Sequence, residues 1–143
     1  MKLNGIEAFA SAQIAAVPAL AALGAARIYD PFETLEDSNS AIAASLKATG
    51  VSFEINPASA IRVDQPTRGA IADARFIVAI AESPIVSHTP QLTVLRDAVI
   101  TAVTANVDAH ETAAEFEESS EPFRHEQRYV LTILAFSKKV RTK

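Results

Sequence analysis

The stretch Ala74-Arg75-Phe76-Ile77-Val78-Ala79-Ile80-Ala81 constrains this chain more than any other. Past Arg75 it is apolar at every position. A strand with one solvated face alternates apolar and polar residues, so an unbroken apolar run predicts a central strand covered on both sides. Ser83-Pro84 ends the run. Thr89-Pro90 then predicts a helix start, with Thr89 as N-cap and Pro90 in the first helical position. Leu92, Leu95, Val99, Val103 and Val107 follow at spacings of three and four, which draws one apolar stripe along that helix. Burying such side chains contributes roughly 1.5–3 kcal/mol each, so the strand and the helix are expected to pack together.

The rest of the chain reads as short elements around this unit. Leu3, Ile6, Ala10, Ile14 and Val17 form an amphipathic stripe, predicting a helix from Asn4 that ends or bends at Pro18. A short strand is expected around Ile28 and Tyr29, closed by Pro31. Thr34 to Thr49 reads as a helix, with Thr34 or Asp37-Ser38 as cap, Ile42 and Leu46 facing inward and Gly50 ending it. Val51, Phe53 and Ile55 alternate as a strand that Asn56-Pro57 breaks, and alternation resumes over Ala60–Asp64. Gln65–Gly69 makes a turn into the central strand. A short strand is expected near Ala113–Glu117 and a last one over Arg128–Phe136, with Tyr129, Leu131, Ile133 and Ala135 on one face. At 143 residues this is one domain, assigned to 1–137. The expected class is α+β, a mainly antiparallel sheet with helices packed on one face. Residues 138–143 read as a basic, flexible tail.

Charge is unevenly spread. The net charge is −4, which argues against a dedicated nucleic-acid binder. Asp108, Glu111, Glu115, Glu117, Glu118 and Glu121 make an acidic segment without a lysine or arginine. The chain from Pro122 onward is basic, with Lys138, Lys139 and Arg141 near its end. These are a solvated loop and a solubilising tail, or complementary surfaces on neighbouring copies. Met1-Lys2 and the alanine-rich run after it imitate a secretory signal, but Glu7 and Gln13 interrupt the apolar core. No run approaches the ~20 apolar residues of a membrane span.

Catalytic motifs are missing. The four glycines, at 5, 24, 50 and 69, are too scattered for a dinucleotide fingerprint or a phosphate loop. No cysteine is present, which excludes disulfides and thiol chemistry. His110-Glu111-Thr112-Ala113-Ala114 opens like a zinc-peptidase helix, yet Ala114 stands where the second ligand belongs. His88 lies near Ser83, Ser87 and Thr89 in a loop without a nucleophile elbow, and is expected to be exposed loop polarity. Glu117-Glu118 is read as a solvated pair of carboxylates. The residues therefore predict no enzyme, no cofactor and no metal site.

The opening Ile6–Val17 stripe, Ile61–Val63, Phe76–Ile80, Leu92–Val107 and Tyr129–Phe136 occur in an order that resembles the tail terminator, or tail-completion, proteins of long-tailed bacteriophages. That resemblance implies a virion protein of the tail and neck region, assembled in the host cytoplasm. It implies a homo-oligomer, a hexameric ring that caps the tail tube protein and meets the head connector protein. DNA would only pass through its channel, which an acidic lining would keep from trapping phosphates, and no membrane is involved. A head-closure or neck subunit, or a small α+β ligand-binding protein or enzyme with a pocket near His88, are the alternatives. For a ring, His88, Glu111, Glu115, Glu117, Glu118, Lys138, Lys139 and Arg141 are the expected contact residues.

Overall fold

The computed structural model describes residues 5–63, 71–106 and 112–141, with backbone alone for 57–63. Two helices open it, α1 (Ile6–Ala15) and α2 (Pro18–Ala21), with Pro18 starting the second rather than bending the first. They are followed by β1 (Arg27–Ile28), α3 (Leu35–Thr49), β2 (Val51–Val63), β3 (Ile71–Glu82) and α4 (Leu92–Thr104). The chain closes with β4 (Glu115–Ser119), β5 (Phe123–His125) and β6 (Tyr129–Arg141). The class is α+β. The sheet order is β1-β2-β3-β6-β4, with β5 pairing β6 further along the same edge as β4. All pairings are antiparallel except that of β1 with β2.

Local chemistry accounts for most boundaries. Thr34 caps α3 by accepting from the Asp37 N–H at 3.1 Å, and Gly50 ends it at φ +86. Asn56-Pro57 does not break β2. The register steps from Asn56–Ile77 to Ala60–Arg75, so a bulge absorbs the proline and the strand continues. The helix α4 starts two residues later than its sequence suggests. Gln91 is the N-cap, and the carboxylate of Glu82, not the Thr89 hydroxyl, receives the Leu92 N–H at 2.8 Å. Leu92 consequently stands at φ 48 and half-exposed, outside the buried stripe of Leu95, Val99 and Val103. Val107 and the Gln65–Gly69 turn lie outside the described residues.

One face of the sheet carries the main core. Phe53, Phe76, Val78, Leu134 and Phe136 bury against α1, α2 and α4. Gln13 ties two of these helices together, its amide donating to the carbonyls of Ala102 and Ala105 at the end of α4. On the opposite face α3 covers one end only, where Leu46 meets Ala81 and Tyr129. So α3 departs from the expectation that all helices share one face, and β3 is fully covered on one side and half-covered on the other. Ile77, Ala79, Leu131 and Ile133 line the uncovered part.

The expectation of a flexible tail is corrected for residues 138–141, and 142–143 lie outside the described residues. Ser137–Arg141 continue β6, paired with Ile71–Arg75, and Val140 is buried in the main core. The alternation Leu134, Phe136, Lys138, Val140 carries the strand on past Phe136 because each side chain reaches the covered face.

Candidate assembly surfaces

The residues expected to make contacts do not form one surface. His88 is buried, which corrects the expectation of exposed loop polarity. Its Nε2 lies 2.9 Å from Glu82 Oε1 and its Nδ1 lies 3.0 Å from the Val86 carbonyl. Both ring nitrogens are thereby used inside the fold, holding the loop between β3 and α4. Lys138 is 2% exposed, with its ammonium 4.7 Å from the Phe9 ring centroid and donating to the Thr112 carbonyl. It serves the interior and not a contact surface.

The acidic segment is exposed but partly engaged. Arg75 on β3 reaches across β6 to Glu117 at 2.9 Å and Glu118 at 2.6 Å on β4. Glu115 and Arg141 are exposed, and Lys139 pairs with Asp73 at 2.9 Å. Glu111 lies outside the described residues, as does His110. Glu115 registers with Ser137 and Arg75, whereas the 83–89 loop begins beyond Glu82 at the other end of β3. Seven residues of strand separate Glu115 from that loop, about 23 Å, but Glu118 and Ser119 are level with Ile77 and Val78, so the acidic strand runs from the far end back toward the loop.

Other residues dominate the exposed apolar surface. Ile28 and Tyr29 stand on the β1 edge, followed by Phe32 at 94% exposure and Leu35 at 77%. Phe116 and Phe123, each about two-fifths exposed, stand on the β4–β5 edge. The Phe116 ring packs edge-on to Phe136 at 5.8 Å, which itself stacks on Phe76 at 5.4 Å. Ile85, 90% exposed, is fixed in a turn whose Ile85 and Val86 N–H groups both donate to the Ser83 hydroxyl.

Between that turn and α3 runs a groove of about 520 Å³. Ile42, Leu46 and Tyr129 form its floor, and Lys47 and Arg128 stand at its rim. His88 does not line it. The Tyr129 hydroxyl has its pKa raised, first by burial and then by the Glu126 and Glu54 carboxylates. Glu54 also has a raised pKa, from burial, opposed by Arg27 and reinforced by Glu33. Among the described residues no three His, Asp or Glu side chains are grouped to hold a metal ion, and no helix is long and apolar enough to cross a membrane.

Sequence reasoning missed Phe32 and the groove. Asp30-Pro31 marks the turn, but nothing in the sequence marks Phe32 as exposed. The groove joins α3, the 83–86 turn and the start of β6, which no local pattern links. No protein-family model matches the chain, and no curated protein matches its sequence.

Proposed function

We propose that this protein is a structural subunit of a long-tailed phage virion, acting as a tail terminator does. In this reading copies join head to tail into a hexameric ring. The ring caps the tail tube protein, meets the head connector protein and lets DNA pass through its channel without doing chemistry on it.

The observation that carries the reading is the pair of dissimilar apolar edges on one sheet, Ile28 and Tyr29 on β1 against Phe116 and Phe123 on β4 and β5. Unpaired edge backbone with apolar side chains invites association. Edges that differ suit a heterologous contact, which repeats and closes into a ring when the rotation allows it.

Light scattering across protein concentration and salt, with negative-stain images, tests this. Closed rings, free or on purified tail tubes, are the expected result. A two-fold dimer at every concentration, or a monomer that neither forms rings nor adds to tubes, overturns it.

A further inference from the structure

We propose that the groove between α3 and the Ser83–Val86 turn receives the Phe32 turn of a second copy of this chain. The inference deepens the ring reading and rests on it for the head-to-tail arrangement.

The Phe32 turn is built to present its ring. Asp30 Oδ1 accepts from the Phe32 N–H at 2.9 Å, and the Glu33 N–H donates to the Asp30 carbonyl at 3.2 Å. Arg27 grips the Glu33 carboxylate, and the Thr34 cap fixes the chain where it enters α3. An aromatic ring held in water by an ordered turn has little conformational freedom left to lose on docking. The exposed rings on the β4–β5 edge are differently placed. Phe116 already packs on Phe136, and Phe123 registers with Leu131, two residues from the groove's own Tyr129.

Turn and groove are complementary. Asp30 and Asp37 are exposed around Phe32, while Glu36 shares a cleft with Arg128 of its own chain. At the groove rim stand Lys47 and Arg128, and among the described residues neither forms an ion pair. The apolar floor of Ile42, Leu46 and Tyr129 has room for an aromatic side chain. Opposite charges around an apolar anchor set orientation, while the buried anchor carries most of the affinity. Phe32 does not line the groove of its own chain, so a second copy supplies the ring, and where the exchange is not reciprocal each bound copy keeps one turn and one groove free. That is the condition for a repeating contact.

The chain has no cysteine, which makes disulfide trapping clean. The variant with Phe32→Cys and Ala43→Cys, Ala43 being on the groove wall, is oxidised and run on a non-reducing gel. A ladder of covalent oligomers is expected from the double variant and none from either single one. Phe32→Ala is expected to weaken self-association by at least about tenfold, with thermal unfolding of the monomer unchanged. Arg128→Glu is expected to weaken it also, and Asp37→Arg to restore part of the loss. Rings without the ladder overturn this contact and leave the ring reading standing. Cross-links confined to single chains overturn the contact as well. Rings that survive Phe32→Ala but no longer join tail tubes would assign the turn to another virion protein, against the proposal. A monomer that forms no rings even on tubes sinks both readings.

Discussion

Glu82 and His88 face each other 2.9 Å apart inside the fold, at the point where β3 hands the chain to α4. The same carboxylate oxygen accepts the Leu92 N–H at 2.8 Å, so one side chain anchors the loop and caps the helix. His88 Nδ1 lies 3.0 Å from the Val86 carbonyl oxygen and Nε2 lies 2.9 Å from Glu82 Oε1, so both ring nitrogens are engaged. Removing one partner of a buried pair strands the other. His88→Ala is expected to cost about 2–3 kcal/mol from the lost hydrogen bonds and packing, read from urea unfolding at neutral pH. A loss under about 1 kcal/mol, the scale of an exposed pair, would mean that water fills the gap.

Gly50 sits against this loop. At φ +86 a Cβ there would lie 2.8 Å from His88 Nδ1 and 2.9 Å from the Val86 carbonyl oxygen. Gly50→Ala combines left-handed strain of about 1–2 kcal/mol with a clash against backbone. At Gly24, φ +110, the nearest atom is the Ser45 hydroxyl at 4.0 Å, so Gly24→Ala meets the strain without the clash. The first variant is expected to melt several degrees below the second. Equal melting temperatures would mean the loop gives way.

Glu54 sets a pH dependence. Burial raises its pKa in the folded state, so the folded protein holds the proton more tightly than the unfolded chain. Stability from this group is fully present below the ordinary carboxylate pKa of 4.5 and is lost as pH rises through the raised value. Glu54→Gln imitates the protonated form. Its melting temperature is expected to match the parent at low pH and to exceed it increasingly toward neutrality. A gap that shrinks with rising pH would show that Arg27 outweighs burial.

Adjacent lysines should behave oppositely. Lys138 is packed on Phe9 and donates to the Thr112 carbonyl, so Lys138→Ala loses packing and a part-buried hydrogen bond, about 2 kcal/mol or more. Lys139 pairs with Asp73 in water, and Lys139→Ala is expected within about 0.5 kcal/mol of the parent. Chemical denaturation of the two variants side by side checks this.

Alanine at Glu115, Glu117 and Glu118 together removes, among the described residues, the surface pairs of Glu117 and Glu118 with Arg75. The monomer is expected to unfold as before, within about 1 kcal/mol, while the salt dependence of ring formation changes. A large stability loss with assembly unaltered would make this segment structural.

Elements with local signals were legible. Thr34 and Gly50 bracket α3 because caps act through neighbouring residues, and the alternation of Val51, Phe53 and Ile55 reports one covered face. The short β5 was not legible. Its three residues are too few for a period, and the turn joining it to β6 uses positive φ at Glu126 and Gln127 without a glycine. Lys138 hid the continuation of β6, since a lysine at a core position reads as a solvent residue until Phe9 and Thr112 are brought to it. The pairing of His88 with Glu82 depended on the strand end and the loop folding back, which the polar loop residues did not announce.

The position of β6 has a consequence for how the protein is made. It lies between β3 and the β4–β5 edge, yet follows all of them along the chain. During synthesis β2 and β3 can pair early, but one side of β3 stays open, and β4 and β5 stay without a partner, until residues 129–141 leave the ribosome. An open strand edge is a hazard for unwanted pairing. A nascent chain cut short before Tyr129 would keep that hazard and leave β4 and β5 with no strand to pair on.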